Sequence, residues 1–329
     1  MTASGAVWTN KLQAAIEASR GTGIAATRLL TDIVTPVMIT PKYTKLLRPS
    51  NRASLNPYFD APINLLYSLD MAIPDIRPTY ESLPWWLQFF VKGGVTGAMT
   101  NTTVYTYTFT PTGTADDLKT AVFEYGVDTA AYQASYGLGQ KLSLSLSRTA
   151  GMKVTAEFLL AKEVAQAFTA ALNPVAWEEI NGALFTAWAD TTTIGTTAIT
   201  PVDFSLDIAN NWQWWWAGDG NLYPGNAARK QFAATATLTT YFASTTERDA
   251  YTANTYRKIR VKTSGSTIPS SSPTTAKSMI IDCYGYWKDA VLSDLNGAYV
   301  LKSTADLVWD TTAAAPYSVA VANGLATLP

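Results

Sequence analysis

The sequence predicts a mainly β protein built as two tandem modules, each with one flanking helix. Three observations lead there. Most of the chain alternates apolar and polar residues with a period of two, or is rich in β-branched and aromatic residues. Two helical stretches interrupt these strands at equivalent places. Short motifs also recur in the same order about half a chain apart.

The opening "NKLQAAIEAS" predicts a short helix with Leu12 and Ile16 on one face. Strands are expected at 103–111, 120–126, 141–147 and 153–160, then at 202–208, 231–242, 258–263, 278–287, 298–309 and 317–324. The first helix is expected in "ESLPWWLQFFVKGG", with Ser82 as N-cap, Pro84 in the first turn and Gly93–Gly94 as the stop. The second is expected in "STTERDAYTANTY", where Ser244 and Glu247 have capping-box spacing.

The two candidate caps, Ser82 and Ser244, stand about half a chain apart. "TPV" recurs at nearly the same offset, at Thr35–Val37 and Thr200–Val202, and so does the pair of "FEYG", ending at Gly126, and "DCYG", ending at Gly285. The order predicts an internal duplication: an arm over 1–34, a first module over 35–170, a linker over 171–198 and a second module over 199–329. The boundary stretch 162–184 is expected to be partly helical.

Charged residues make up 15% of the chain, against about 25% in an ordinary soluble domain. A surface so thinly charged is poorly defended against association, which suits a chain covered by its own copies. The net charge of −1 gives no electrostatic reason to capture nucleic acid or an anionic membrane. Cys283 is the single cysteine and histidine is absent. These facts remove a disulfide framework, Ser–His–Asp and Cys–His catalysis, and His-based zinc sites. The N-terminal stretch has no long apolar run, so neither a signal peptide nor a membrane anchor is expected.

No catalytic, cofactor-binding or metal-binding residue stands out, and a non-enzymatic role without cofactors is expected. Glu178 and Glu179 in "WEEI" are consecutive and read as a solvated turn or helix start. "GTGIAA" lacks the preceding strand and the GK[ST] ending of a phosphate loop. A glycosidase-type hydrolase needs no histidine, but no spaced acidic pair supports one.

The stretch "NNWQWWWAGDG" (210–220) is the most unusual in the chain. An extended backbone puts Trp212, Trp214 and Trp216 on one face, with Gln213 and Trp215 on the other. Three roles compete: module core, inter-subunit contact, and a stacking platform on a glycan-binding β-sandwich. By the duplication this stretch matches the polar loop at 43–59. Trp212, Trp214, Trp215, Trp216 and Tyr223, with Leu46, Leu47, Arg48 and Tyr58, are therefore candidate inter-subunit or inter-ring contacts. Loops 43–59, 210–229 and 264–277 are expected to be mobile in a free subunit and ordered on assembly. In the first helix, Trp85, Trp86, Leu87, Phe89 and Phe90 cover nearly the whole circumference, so it should not face water.

The succession "IEASRGTGIAATRLL", "RPTYESLPWWL", "VYTYTFTPTGTADDLKTAVFEYG" and "LGQKLSLSLSRTAGMKVTAEF", continued by "KSMIIDCYGYW" and "YSVAVANGLA", resembles the tail tube (major tail) proteins of long, non-contractile-tailed bacteriophages. The resemblance spans nearly the whole chain. It implies β-sandwich or barrel modules with a flanking helix, repeated around hollow rings that stack into a genome-delivery conduit. Many members carry one module and form six-chain rings; a two-module chain implies a homotrimer with pseudo-sixfold symmetry, a hexamer being less favoured. Implied partners are further copies of the chain, the tape measure, tail tip and tail terminator proteins, and genomic DNA passing non-specifically through the lumen. The implied location is the virion tail, assembled in the host cytoplasm.

Overall fold

The computed structural model describes residues 11–46, 49–50, 58–59, 63–114, 116–127, 130–174 and 178–328; residues 46, 49–50, 58–59 and 63 are described by backbone alone. In chain order the elements begin with β1 (Lys11–Ile16), β2 (Arg28–Leu29), β3 (Met38–Leu46), β4 (Pro49–Ser50), β5 (Tyr58–Phe59), β6 (Ile63–Ile76) and helix α1 (Leu83–Phe90). Next come β7 (Ala98–Asn101), β8 (Val104–Phe109), β9 (Ala121–Val127), β10 (Ala130–Ser147), β11 (Gly151–Leu160) and β12 (Lys162–Ala165). A 3-10 turn (Gly182–Leu184) leads to β13 (Thr186–Asp190), β14 (Ala198–Ile199), β15 (Pro201–Ala209), β16 (Trp212–Trp215), β17 (Asn226–Arg229) and β18 (Ala233–Tyr241). Helix α2 (Thr246–Thr252) precedes β19 (Tyr256–Thr267), β20 (Ala276–Leu295), β21 (Ala298–Leu307) and β22 (Tyr317–Asn323). The protein is mainly β with large antiparallel sheets, as its alternation predicts.

Two local expectations fail. The segment read as an N-terminal helix is strand β1, whose Leu12, Gln13, Ala14 and Ala15 are all buried. Its ladder to β9, from Lys11 opposite Gly126 to Ile16 opposite Ala121, overrides a weak helical period. The stretch 162–184 contains β12 and a 3-10 turn instead of α-helix among its described residues.

Strands β10 and β20 each serve two sets of ladders. The first part of β10 pairs with β9 and β12, and the remainder pairs with β11 and β15. Likewise β20 pairs first with β19 and β22, then with β21. Both strands shift register at the handover, between Gly139 and Lys141 and between Trp287 and Asp289. Such a bulge adds an unopposed residue that bends a strand from one sheet into the next. Lys141 and Asp289 follow the two bulges and so occupy the same place, which makes Gly285 the counterpart of Gly137. The expected match of Gly285 with Gly126 is wrong, because Gly126 lies near the end of β9.

The main ladder order is β3–β6–β11–β10–β15–β18–β21–β20. Its two halves have matching registers. Phe158 pairs with Met71 and Met71 with Ile39, while Ala305 pairs with Ala236 and Ala236 with Leu206. Phe158 of β11 therefore corresponds to Ala305 of β21, Met71 of β6 to Ala236 of β18, and Ile39 of β3 to Leu206 of β15. The same order recurs outside this sheet, as β2–β1–β9 and β14–β13–β19. The segment expected as a linker thus contributes β13, and the expected arm contributes β1 and β2. One ribbon breaks the parallel: β7 pairs with β8, and β8 crosses to pair with β22.

The core lies on one side of the main sheet. Every residue of α1 is buried, as its all-round apolar surface requires. Phe158 of β11 meets the rings of Phe89, Phe90 and Phe123 at 4.9–5.8 Å, and Trp86 donates to Asp32 at 3.0 Å. Burial of each such ring contributes about 1.5–3 kcal/mol. Ser82 does stand at the N-cap, but its hydroxyl accepts from the Thr79 amide and makes no cap bond to the helix. In α2 the cap is Thr245, and Glu247 reaches outside the helix to Arg257 and Trp287. The capping box at Ser244 is therefore not formed: the buried guanidinium competes better for the carboxylate than a backbone amide does.

Candidate inter-subunit edges and the tryptophan hairpin

Strand β3 has a ladder only to β6, and the last part of β20, Asp289–Leu295, has a ladder only to β21. These are the outer members of the main sheet among the described residues. Each therefore presents a row of backbone donors and acceptors without a ladder partner, a template for another strand. Their side chains agree: Met38, Tyr43, Val291, Leu292 and Leu295 are exposed. Inside the chain β10 occupies the place that β20 holds at the edge, and it is paired to β15 from Lys141 opposite Ala209 to Ser147 opposite Asp203.

The face of the main sheet away from the core is rich in hydroxyl groups. Strand alternation sends Leu142, Leu144 and Leu146 inward and Ser143, Ser145 and Ser147 outward. Thr235, Thr237 and Thr239 do the same on β18, and the Thr237 and Thr304 hydroxyls lie 3.3 Å apart across strands. Asp203 and Asp207 on β15 and Lys141 and Lys153 on β10 and β11 add charges of both signs. Short hydroxyl side chains present hydrogen bonds without long cationic arms.

The tryptophans divide between two environments. β16 and β17 form a separate hairpin, with Trp212 opposite Arg229 and Trp215 opposite Asn226. Trp212 and Trp214 point inward and Trp215 is 58% exposed, the expected alternation. The strand stops at Trp215, and Trp216 is exposed instead of sharing the buried face. The inward pair packs in a cluster with Leu118, Tyr136, Leu138 and Ala161, all from the first half of the chain. Arg20 lies over Trp212 at 5.7 Å and pairs with Asp116 at 2.7 Å. These two tryptophans are core, but the core of a joint between halves. Trp215 and Trp216 alone of the four remain for outside contacts.

Tyr223, further along the same excursion, meets Tyr67 of β6 edge-on at 5.4 Å. The Tyr67 amide donates to the Leu222 carbonyl at 2.9 Å. Beneath them Glu163 of β12 accepts from both the Tyr67 and Tyr125 hydroxyls. Burial first, then the adjacent carboxylate, pushes both phenols well above their ordinary range. Both stay protonated and donate to Glu163. Leu47 and Arg48 lie outside the described residues, and Leu46 and Tyr58 are placed by backbone alone, in β3 and β5.

Reading the sequence missed Tyr136, Tyr67 and Glu163 as parts of the joint. Tyr136 carries a positive φ of 57° just before the β10 bulge, a local signal that "SYGLGQ" does not announce. One carboxylate of the glutamate pair, that of Glu178, also has a structural role. Glu178 accepts from the Ser266 amide at 2.6 Å and pairs with Lys277 at 3.0 Å. Burial opposes its charge, but the Ser266 and Lys277 bonds outweigh this and hold its carboxyl below the usual range.

No helix among the described residues is long and apolar enough to cross a membrane. No curated protein matches the chain. A family model described as phage tail tube protein matches residues 8–318, one match running through both halves. That match covers nearly the whole chain, and the chain therefore belongs to the phage tail tube protein family.

Proposed function

We propose that the chain is a doubled tail tube module whose copies join edge to edge into trimeric rings. Stacked rings then form the conduit through which the genome leaves the virion. The single observation that carries this reading is the β10–β15 ladder. It joins the two halves of one chain and leaves the corresponding strand, β20, without that partner. Replacing each strand of that ladder by its counterpart pairs β20 of one copy with β3 of the next. Asp289 then faces Lys42, Val291 faces Thr40 and Leu292 faces Ile39. Three copies of the eight-strand order close a ring of 24 strands, and a closed ring removes both exposed edges.

The hydroxyl-rich face lines the lumen. Duplex DNA carries about one charge per 1.7 Å of axis and is held wherever cations accumulate; a wall of Ser and Thr on which the lysines are offset by interspersed acids lets it slide. Trp215 and Trp216 serve contacts between rings, and the 46–48 stretch serves contacts between copies. Tape measure, tip and terminator proteins close the two ends, and assembly takes place in the host cytoplasm.

Cryo-electron microscopy of tubes grown from the purified chain tests this. Threefold order with a 24-strand inner wall is expected. Sixfold order of whole chains, or a chain that stays monomeric with its tail-initiation partners present, would remove the reading.

A further inference from the structure

A cleft of about 900 Å3 opens beside β18 and β21, with Phe232, Val308 and Trp309 among its apolar lining and Asp116, Arg229 and Asp306 among its charged lining. In the first half the corresponding place is filled. Leu138 and Ala161 are 1% and 3% exposed there, because Trp212 and Trp214 lie over them. Tyr67 is covered by Tyr223 and by the backbone bond to Leu222. In the registers set by the ladders, the counterparts of Leu138, Ala161 and Tyr67 are Tyr286, Val308 and Phe232. Tyr286 and Val308 are 40% and 37% exposed, and Phe232 is half-buried. The three positions are buried in one half and more exposed in the other, where two of them, Val308 and Phe232, line the cleft.

What seals the first set is the excursion between β15 and β18. The segment at the same place in the first half runs between β3 and β6. We propose that the open cleft receives the β3–β6 segment of a second copy, seated as the β16–β17 hairpin sits on the first half. This rests on the edge-to-edge reading. The half whose β10 pairs with β15 is also the half that the β15–β18 excursion covers. The copy that offers β3 to β20 therefore brings its own β3–β6 segment over the cleft beside that β20.

The segment has the chemistry for this place. "LRPSNRASLNPYFDAP" (47–62) carries Leu47, Leu55, Tyr58 and Phe59. In the register that relates β6 to β18, Tyr58 falls on Tyr223. An exposed apolar patch with a cleft, continuous with an interface already made once inside the chain, is the kind of surface that a matching subunit covers.

Cysteine cross-linking tests the proposal in a Cys283→Ala background. One variant combines Tyr58→Cys with Val308→Cys; a second combines Lys42→Cys with Asp289→Cys and reports edge pairing alone. After mild oxidation of assembled tubes, both are expected to give linked dimers and trimers on a non-reducing gel. Links in the edge variant with none in the cleft variant overturn the docking while the ring reading stands. No links in either, with no tubes by microscopy, overturns both. Should the background fail to fold, Trp309→Asp in the native chain serves instead. Its circular dichroism is expected to be unchanged and its critical concentration for tube formation at least about tenfold higher; an unchanged critical concentration overturns the proposal.

Discussion

Tyr136 of β10 and Trp214 of β16 meet edge-on, with ring centroids 5.2 Å apart and planes inclined at 72°. One belongs to the first half of the chain and the other to the second, so this contact fastens the joint from which the ring geometry is inferred. The indole N–H groups of Trp212 and Trp214 are both buried without a hydrogen-bond partner among the described residues. The ring surface outweighs that loss, and a substitution series separates the two terms. Trp214→Ala is expected to cost about 3 kcal/mol through the cavity it leaves. Trp214→Phe keeps an aromatic face and removes the unpaired donor, so it is expected to stay within about 1 kcal/mol of the parent. Urea unfolding of the subunit measures both; equal losses would mean the indole nitrogen has a partner after all.

Leu292 holds, in the exposed part of β20, the position that Leu144 holds in β10, where it is fully covered. In the proposed ring Leu292 is buried only when the next copy docks. Leu292→Lys is expected to change subunit stability by less than about 0.5 kcal/mol, as for other surface positions. It is also expected to abolish tube formation by placing a charge in a closing apolar layer. Sedimentation and negative-stain microscopy read the two effects separately, and intact tubes from this variant would contradict the edge pairing.

Asp190 closes the turn after β13 by accepting from the Gly195, Thr196 and Thr197 amides at 2.7–3.1 Å and from the Thr196 hydroxyl at 2.6 Å. Burial opposes its charge, but these bonds outweigh it and lower its pKa from 3.8 to about 2. The folded value is depressed, so the stabilisation is fully present above the unfolded value and is lost as pH falls through about 2. Asp190→Asn is expected to cost about 2 kcal/mol at neutral pH. The gap from the parent should narrow as pH is lowered from 4 toward 2, and a gap independent of pH would exclude the carboxylate as its source.

Glu247 holds two buried partners, the Arg257 guanidinium and the Trp287 indole at 2.9 Å. Removing the carboxylate strands a buried cation. Glu247→Ala is expected to cost about 3–5 kcal/mol, and Arg257→Met with Glu247→Leu together should recover most of it. Thermal unfolding of the single and double variants decides the matter; a loss in the double variant equal to the sum of the single losses would show the two charges to be uncoupled.

Strand positions were legible because a half-buried strand writes its two faces into alternate residues, as in "KLSLSLS" and "KVTAEFLL". The burial of α1 was legible for the converse reason, since Trp85, Trp86, Phe89 and Phe90 leave no polar side. β1 reads as helix in the sequence because "KLQAAI" is short and its two alanines fit either period; the ladder to β9 decides. The bulges were not legible, because an unopposed residue is defined by the neighbouring strand. The motif spacing therefore aligns Gly126 with Gly285, whereas the registers align Gly137 with it. The tryptophan run showed its alternation but not its destination, because Tyr136 and Leu138 are supplied from far upstream in the chain.

The ribbon β7–β8 leaves the first half to extend the sheet of the second, and nothing corresponding runs between α2 and β19. In the proposed ring every other seam is thus sewn while the polypeptide folds, before any encounter with a neighbour. Half the closures are removed from the diffusive stage, and the circumference is forced to an even tally of modules. Odd-membered, mis-sized hoops become unreachable by stoichiometry alone. Under load, the tube should part along the unsewn seams first.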